Sequence, residues 1–438
     1  MSHPALKLAY YADDFTGSTD ALESLAQAGL QARLFLSPPT AEQCAGLDAV
    51  GVAGFSRSLA PAAMEAVLRP AFTSLRALGP RHVHYKVCST FDSSPTVGSI
   101  GRAIDVGAGV FGSRTVPLLV AAPALGRYCA FGNLYARFGI GSDGPIHRLD
   151  RHPAISRHPV TPMTEADLRV HLAGQTKRSI ALLGVPALEL PPAETAAAFD
   201  RLVEAGCDII LIDGLNAAHL LRAGALIDRL AGDGPVFSVG SSGIESALCA
   251  HWATEGAVSD RPNVTPSPAG PVPASGPLLV VSGSCSPVTG GQIDWAIANR
   301  FTGIEFSPDA LPAVVASLKS GRSTVVYTSR GQASNTPVPA GKLGTELGLL
   351  TREAIARTGV RRIVIAGGDT SSFATRALGI ESLEMLATLA PGAPFCRVRA
   401  PGSPVDGLEV NFKGGQVGAP DFFGTAERGI LKTESRAS

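Results

Sequence analysis

Two adjacent carboxylates follow the first apolar stretch of the chain. Asp13 and Asp14 stand in the segment YYADDFTGS, where an apolar run ends and a helical pattern begins. A carboxylate beside a hydroxyl can act as a general base, and its neighbour can hold a magnesium ion or a substrate hydroxyl. A structural role as helix N-cap would account for one of the two carboxylates but not for both. The segment therefore predicts a catalytic site at the end of a strand.

A second polar cluster follows another apolar run. A lysine ends this run, and most of the residues after it carry a hydroxyl, thiol or carboxylate group. A cation can bind the carboxylate of a small acid, and short polar side chains can bind its hydroxyls. The predicted substrate-binding residues are Asp13, Arg57, Lys86, Cys88, Ser89, Thr90 and Asp92. Such clusters also occur in ordinary turns, and a lone arginine such as Arg57 is more often a solvated surface residue.

The last third of the chain contains three short segments rich in glycine and serine. Their sequences are VSGSCS, AGGDTS and FKGGQVG, and the first two follow strand patterns and lead into helical patterns. Small residues let backbone N–H groups approach a phosphate, and a helix N-terminus favours an anion. The candidate phosphate-binding residues in these segments are Ser282, Ser284, Gly367, Gly368, Asp369, Thr370, Gly414 and Gly415. Taken singly, each segment could also be a tight turn between a strand and a helix.

Other familiar motifs are rejected or absent. The segment GAGVFG at residues 107–112 has the spacing G-x-G-x-x-G, but it follows a helical pattern and precedes a strand, the reverse of the order in a dinucleotide site. No G-x-x-x-x-G-K-[S/T] segment occurs, so any nucleotide site is not a P-loop. The histidines show no metal-ligand spacing on a helix, and no metal ligand is assigned. The segment from His147 to His158 could approach the active site or be structural.

Short β-branched runs alternate with helical patterns, which is typical of parallel sheets covered by helices. The sequence predicts an α/β protein with two domains, each a largely parallel sheet flanked by helices, and an active site in the cleft between them. A stretch rich in Pro, Ser and Gly separates them and predicts an extended linker. The predicted parts are an N-terminal domain (1–255), the linker (256–276), a C-terminal domain (277–426) and a polar tail (427–438).

The composition excludes several classes of protein. Lys plus Arg and Asp plus Glu both number 37, and no basic run occurs, which argues against a nucleic-acid binder. No apolar stretch approaches the roughly 20 residues of a membrane-spanning helix, and no signal peptide is visible. Seven cysteines without a C-x-x-C pair argue against a disulfide framework or a zinc ribbon. We expect a cytoplasmic protein without a membrane partner, and the sequence leaves open whether it forms a homo-oligomer.

In their order along the chain, several segments resemble the four-carbon acid sugar kinase family, a bacterial group once labelled a domain of unknown function. These segments are ADDFTGS (12–18), CSTFDS (88–93) after Lys86, HPVTPM (158–163), SGSCS (282–286), GGDTS (367–371) and KGG (413–415). The resemblance covers nearly the whole chain. It implies an N-terminal substrate domain, a C-terminal nucleotide domain and ATP-dependent phosphorylation of a tetronate-like acid.

The resemblance also implies roles for individual residues. Asp13 or Asp14, Arg57 and the segment from Lys86 to Ser89 would hold the sugar acid, and the three glycine- and serine-rich loops would hold ATP. Family substrates include threonate, erythronate, 3-oxo-tetronate and branched relatives such as oxo-isoapionate. The segment KVCSTFD at residues 86–92 is closer to the 3-oxo-tetronate kinases than to members with a KIDST-type segment.

We therefore expect a kinase that uses ATP and Mg²⁺ to phosphorylate the terminal hydroxyl of a four-carbon or branched sugar acid. Asp14 is the expected general base, although the sequence leaves open whether Asp13 takes that role. One alternative is an NAD(P)-dependent dehydrogenase of a small hydroxy acid, against which the misplaced glycine motif argues. Another is a non-catalytic sensor of a sugar acid, which would leave the paired carboxylates and phosphate-type loops without a purpose.

Overall fold

The computed structural model describes residues 6–139, 143–157, 161–232, 234–256, 272–273, 276–330 and 340–430. The chain divides into two compact units. The first comprises Met1–Ala32 and Ser37–Pro262, and the second comprises Arg33–Leu36 and Asn263–Ser438. The predicted N-terminal domain contained residues 33–36, which the structure assigns to the second unit. Most of the predicted linker and the predicted tail from residue 431 lie outside the described residues.

The secondary-structure elements are numbered in chain order. The strands are β1 (Leu8–Ala12), β2 (Ala32–Phe35), β3 (Ala49–Ala53), β4 (His82–Lys86), β5 (Val116–Leu119), β6 (Arg127–Ala130), β7 (Asn133–Arg137), β8 (Ile146–Arg148), β9 (Ile180–Leu183), β10 (Ile209–Ile212), β11 (Val236–Gly240), β12 (Val272–Pro273), β13 (Leu278–Ser282), β14 (Thr302–Glu305), β15 (Thr324–Tyr327), β16 (Arg362–Ala366), β17 (Ser382–Ala390), β18 (Ala393–Arg399), β19 (Glu409–Lys413) and β20 (Gly429–Ile430). The helices are α1 (Phe15–Gln27), α2 (Pro61–Ala77), α3 (Ile100–Phe111), α4 (Leu168–Ala173), α5 (Val185–Leu188), α6 (Pro192–Glu204), α7 (Ala217–Asp228), α8 (Gly243–Thr254), α9 (Pro287–Ala298), α10 (Leu311–Lys319), α11 (Ala340–Thr358), α12 (Gly368–Leu378) and α13 (Phe422–Arg428).

The first unit is built on a parallel sheet with the strand order β3-β1-β4-β11-β5-β10-β9. All residues of β1, β3, β4 and β11 are buried, as expected for parallel strands that are covered on both faces. The register aligns Ala12 with Ala53 and with Lys86, so these strands end at the same level. The polar segments that follow β1, β3 and β4 therefore start from one edge of the sheet.

A small antiparallel sheet, β6-β7-β8, lies beside this edge. Asp213, directly after β10, accepts hydrogen bonds from the backbone N–H groups of Phe131 (2.6 Å) and Gly132 (2.9 Å) in the β6–β7 turn. A backbone pairing between Cys129 and Gly214 adds a second attachment. These contacts hold the hairpin at the carboxyl edge of the parallel sheet.

The sheet of the second unit has the order β14-β15-β13-β16-β19-β18-β17-β2. Its first five strands are parallel, and the remaining strands pair antiparallel. Strand β2 joins through pairs of Leu34 with Leu383 and of Phe35 with Ser382. The carboxyl ends of β13, β16 and β19 are adjacent, which brings the three glycine- and serine-rich segments to one edge.

Among the described residues, no helix has the length and apolar character required to cross a membrane.

Candidate active site

The carboxylate of Asp13 is buried against Arg57 in the first unit. Asp13 is 2% exposed, and Arg57 donates from Nη2 to its Oδ1 (2.9 Å) and from Nε to its Oδ2 (3.2 Å). Burial raises the pKa of the Asp13 carboxyl, and the positive charge of Arg57 offsets part of that rise. The two carboxylates keep Arg57 charged, since their attraction raises its pKa although burial alone would lower it.

Asp14 is the N-cap of α1, as the structural interpretation of the sequence allowed. Its Oδ1 accepts a hydrogen bond from the N–H of Gly17 (2.7 Å), and its Oδ2 accepts one from Thr16 Oγ1 (2.9 Å). The same Oδ2 lies 2.9 Å from Arg57 Nη1, so one guanidinium bridges both aspartates. The side chain of Asp14 is 15% exposed and that of Asp13 only 3%, so Asp14 is the more accessible carboxylate.

Lys86 ends β4 and is buried beside the two aspartates. Its Nζ donates to the carbonyl of Val87 (3.1 Å) and lies 3.2 Å from Asp20 Oδ2. Burial alone would lower the pKa of Lys86, but the negative charges of Asp20 and Glu245 outweigh it and raise the pKa. Lys86 is therefore a charged lysine with a carboxylate partner inside the protein.

The polar segment after β4 turns sharply and buries most of its side chains. Ser89, Thr90 and Asp92 are buried, and Cys88 Sγ lies 2.9 Å from Thr90 Oγ1. Burial raises the pKa of the Cys88 thiol, so this cysteine is neutral at pH 7. Phe91 adopts a left-handed conformation with φ of 57°, which is strained for a non-glycine residue and often occurs at ligand sites.

In the second unit the segments after β13 and β19 contact each other. Gly415 lies so close to the β13 segment that a Cβ on it would meet Ser286 Cβ at 3.0 Å and Ser284 Oγ at 3.1 Å. Ser282 and Ser284 accept hydrogen bonds from backbone N–H groups two residues further on (3.3 and 3.2 Å). These small residues form a closely packed turn in front of helix α9.

The segment after β16 joins the same cluster through the backbone. The N–H of Gly367 donates to the carbonyl of Lys413 (2.9 Å), and Gly367 has φ of 115°, a conformation that favours glycine. Gly368 begins α12, and a Cβ on it would have open space within 4 Å. Asp369 and Thr370 lie in the first turn of α12, but their side chains are outside the described part of the structure. The structure thus brings the predicted nucleotide segments together, with a helix N-terminus facing the edge.

Lys413 is a candidate site residue that was missing from the sequence prediction. It ends β19, has no exposed surface, and donates from Nζ to Thr289 Oγ1 (3.0 Å) and to the carbonyl of Gly414 (3.0 Å). Neither partner is charged, and Lys413 forms no ion pair with the residues that the structure describes. Burial lowers its pKa to about 7. The available signal was its position, since it ends an apolar strand before Gly414 just as Lys86 ends β4.

The described histidines and acidic residues do not form a metal centre at either edge. Asp228, His251 and Glu255 are clustered, but both oxygens of Asp228 already accept from Arg81 (3.0 and 2.8 Å), and a cation there would compete with that guanidinium. His152 is buried, and its Nδ1 accepts from two backbone N–H groups, which is a structural role. His158 lies outside the described residues.

Magnesium prefers oxygen ligands, usually one or two carboxylates together with phosphate oxygens and water. The described side chains of the three segments in the second unit supply hydroxyl groups but no carboxylate. In the first unit, Asp13, Asp14 and Asp20 already contact cationic side chains. The described residues of neither edge therefore form a Mg²⁺ site by themselves.

The sequences of both units match those of known proteins. Residues 8–248 match the model of a sugar-binding N-terminal domain, and residues 279–423 match that of a nucleotide-binding C-terminal domain. The chain is 41% identical to a 3-oxo-isoapionate kinase of Paraburkholderia graminis, covering 97% of this chain and 95% of that protein. It is 31% identical to a 3-oxo-tetronate kinase of Pseudomonas fluorescens, covering 97% of each.

A solved structure shows the same architecture. The crystal structure of a Salmonella typhimurium LT2 protein matches with a TM-score of 0.77 and 25% identity, over 97% of this chain and 99% of that chain.

Proposed function

The chain belongs to the four-carbon acid sugar kinase family, and on that premise we propose that it transfers the terminal phosphate of ATP to a hydroxyl of a small sugar acid. The observation that carries the proposal is Lys413, a fully buried lysine with two neutral partners at the edge where the glycine- and serine-rich segments meet. Burial of an unpaired ammonium is costly unless an anion joins it. A nucleotide phosphate supplies that anion.

At the nucleotide edge, each group has a distinct task. Backbone N–H groups near Ser284 and Gly415, together with the N-terminus of α12 at Gly368, would bind phosphate oxygens. Asp369 and Thr370 belong to this set by their sequence position. Lys413 would donate its remaining N–H to the phosphates and add positive charge in a water-poor site, where charge is most effective. Mg²⁺ is proposed to enter with ATP and to neutralise phosphate charge.

At the acid edge, Asp14 is proposed to accept the proton of the substrate hydroxyl, because it is the more accessible of the two aspartates. Asp13 would then position Arg57 by its bidentate pair, and Arg57 in turn fixes the orientation of Asp14. The raised pKa of Asp13 keeps the reverse assignment open to test. Lys86, Cys88, Ser89, Thr90 and Asp92 are proposed to surround the acid. Phosphoryl transfer of this kind depends mainly on positioning and charge stabilisation.

For the substrate, we propose a 3-oxo sugar acid, with a branched acid of the isoapionate type ahead of linear 3-oxo-tetronate. The 41% identity to a 3-oxo-isoapionate kinase, against 31% to a 3-oxo-tetronate kinase, supports this order. Threonate and erythronate are included in the test because they share the carboxylate and the terminal hydroxyl.

The dehydrogenase alternative receives no support from the glycine motif. Residues 107–111 lie in the last turns of α3, with Gly112 capping its end, and no strand leads into them. Gly107 packs against Phe237 so closely that a Cβ would lie 2.1 Å from the ring. This glycine therefore permits a helix to approach a strand, which is a packing role.

The proposal is tested by incubating the purified protein with Mg-ATP and each acid and following ADP release together with ³¹P NMR of the product. We expect one acid to give stoichiometric ADP and a new phosphomonoester signal. A melting-temperature screen with ATP and NAD is the control. A melting temperature that rises with NAD but not with ATP, together with no ADP formed in the presence of any acid, would exclude the kinase proposal.

A further inference from the structure

At the carboxyl edge of the first unit, two of the cations are already neutralised by the protein. Arg57 bridges two aspartates, and Lys86 lies beside Asp20. A cation in a close ion pair has less attraction left for the carboxylate of a ligand than one without a partner. The residues that the sequence predicts for the acid therefore leave its carboxylate without a dedicated partner.

Arg127, the first residue of β6, is a different kind of cation. It is 6% exposed, and its Nη1 donates to the carbonyls of Leu125 (3.1 Å), Gly126 (3.3 Å) and Arg137 (3.1 Å). Its Nε has no hydrogen-bond partner, and Arg127 forms no ion pair within the described part of the chain. The carbonyls fix the orientation of the guanidinium but leave its charge uncompensated.

Acidic groups of the predicted acid site lie near this guanidinium. Burial lowers the pKa of Arg127, and the nearby carboxylates of Asp92 and Asp20 offset part of that effect. The neighbouring His152 contributes no charge, because burial, Arg127 and His147 all lower its pKa. The backbone of Arg127 also pairs with that of Ala122, in the segment that follows β5 (3.0 and 3.1 Å). Because β5 belongs to the same parallel sheet as β4, Arg127 and the segment after β4 start from the same edge of that sheet.

Asp92 carries a hydrogen-bond acceptor that no described residue satisfies. It is 7% exposed, and its buried Oδ1 has no hydrogen-bond partner among the residues that the structure describes. An unsatisfied buried oxygen destabilises the folded state, so native proteins rarely leave one without a ligand or water. One side of this site therefore has a donor without an acceptor, and the other has an acceptor without a donor.

From this pairing we infer that Arg127 binds the carboxylate of the sugar acid and that Asp92 accepts a hydrogen bond from one of its hydroxyls. The inference rests on the proposed function, and it adds a binding residue from outside the predicted set. The β6–β7 hairpin supports it mechanically, because Asp213 anchors the turn and so keeps the guanidinium in place before the ligand arrives. An acid would then be distinguished from a neutral polyol by Arg127.

The experiment is calorimetric titration of the protein, without ATP, with threonate and with threitol, the four-carbon polyol that lacks the carboxylate. The variants are Arg127→Met, Arg127→Lys and Asp92→Asn. Arg148→Met is the matched control, because Arg148 is in the same small sheet but is paired with Asp150 at the surface. A charge-assisted hydrogen bond contributes roughly 1.5–3 kcal/mol, which corresponds to a loss of affinity of about 10- to 100-fold.

We expect the wild type to bind threonate more tightly than threitol. Arg127→Met should weaken threonate binding by about 10- to 100-fold and leave the dissociation constant for ATP within about twofold of the wild-type value. Arg127→Lys should keep part of the affinity for threonate. Arg148→Met should bind threonate as tightly as the wild type does. Unchanged threonate affinity in Arg127→Met overturns the inference, as does an equal loss of threonate and ATP binding. If Arg127→Met does not fold, Asp92→Asn and Arg127→Lys carry the test.

Two further outcomes separate this inference from the function itself. If the wild type binds threonate through Arg127 but phosphorylates no acid, the kinase proposal fails and the acid site stands. If Arg127 and Asp92 instead compensate each other's charge when no ligand is bound, the double variant will lose less stability than the two single variants lose together. Such coupling, with threonate binding unaffected, overturns the inference and leaves the kinase proposal intact.

Discussion

Lys86 in the first unit and Lys413 in the second end buried parallel strands in the same way, yet their surroundings differ. Lys86 has Asp20 at 3.2 Å and a raised pKa, whereas Lys413 has two neutral oxygens and a pKa lowered to about 7. The charge of a lysine that the fold pairs with a carboxylate is already balanced, while a lysine that the fold leaves without an anion is prepared for an anionic ligand. The comparison shows that strand position locates a site but that the partner defines the role of the side chain.

The largest effect should come from the carboxylates that share Arg57. Asp14→Asn should lower kcat by about 10²–10⁴-fold, the usual contribution of a general base, with a small change in the KM for ATP. Asp13→Asn should mainly disorder Arg57 and raise the KM for the acid. Steady-state kinetics on both variants measures this. Near-normal turnover of Asp14→Asn with loss of turnover in Asp13→Asn would assign the base to Asp13.

The comparison of the two lysines is tested directly by Lys86→Met and Lys413→Met. Lys86→Met leaves buried acidic groups without their cation and should destabilise the first unit by about 3 kcal/mol. Lys413→Met removes an ammonium that has no anionic partner, so the unfolding free energy should hold or rise. Its kcat/KM should nevertheless fall by about 10²–10³-fold, as for loss of a group that stabilises transition-state charge.

Urea denaturation and ATP turnover on the same preparations provide both measurements. Arg357, which pairs with Glu353 at the surface, gives a control variant, Arg357→Met, that should change neither quantity. Equal destabilisation by the two lysine variants would contradict the distinction between a neutralised and an unpaired lysine.

The pH dependence of the unfolding free energy gives a second test of the difference between Lys86 and Lys413. In the folded protein Lys413 loses its proton above about pH 7, whereas in the unfolded chain it keeps the proton up to about pH 10.4. The unfolded state binds more protons in this window, so the contribution of Lys413 to the unfolding free energy rises with pH, by at most about 1.4 kcal/mol per pH unit. Below the folded pKa both states are protonated, and this dependence ends.

Lys413→Met should lack this component, so the difference in unfolding free energy between wild type and variant should grow in favour of the wild type from pH 7.5 to 9.5. Urea titrations at the two pH values measure it. A difference that is constant with pH would show that Lys413 titrates normally in the folded protein.

The smallest expected effect concerns the packing of the nucleotide segments. Gly415→Ala places a methyl group 3.0 Å from Ser286 Cβ, so the β19 segment must shift by a few tenths of an ångström. The KM for ATP should rise several-fold with little loss of stability. Gly291→Ala is the matched control, since Gly291 lies in helix α9 outside the predicted nucleotide-binding residues and its added Cβ meets open space. Equal KM values for the two variants would indicate that the contact between Gly415 and Ser286 does not position ATP.

Much of the parallel framework could be predicted from the sequence. The apolar runs at 49–53, 278–282 and 362–366 predict strands, and they form β3, β13 and β16 with the same bounds. A continuous apolar run between polar segments has few other interpretations. The small sheet β6-β7-β8 was not predicted, since its strands are short and lack a strong apolar run. Strands β6 and β7 alternate between buried and partly exposed residues, and β8 contains no buried residue. Strand β2 was also missed, because its pairing with β17 depends on residues far away in the sequence.

The residues of the candidate site could likewise be predicted only where a local sequence pattern marks them. Asp13, Asp14, Arg57 and Lys86 were found because local patterns placed them at strand ends, and the structure brings them together. The importance of Arg127 depends on what is absent around it, and only the three-dimensional arrangement shows that its Nε has no partner in the described part of the chain. Local sequence thus indicates which groups can do chemistry, while tertiary structure determines which of them are still free to do it.

Strand β2 has a consequence for how the protein is made. The sheet of the second unit contains Arg33–Leu36, a segment that leaves the ribosome long before the other strands of that sheet. Residues 263–438 produced as a separate fragment would expose β17 as an unpaired edge, and such edges recruit other strands. The fragment should therefore self-associate unless a peptide containing residues 32–36 is supplied. When the chain is made as one polypeptide, β2 is already present as β17 is synthesised and can cover that edge against aggregation.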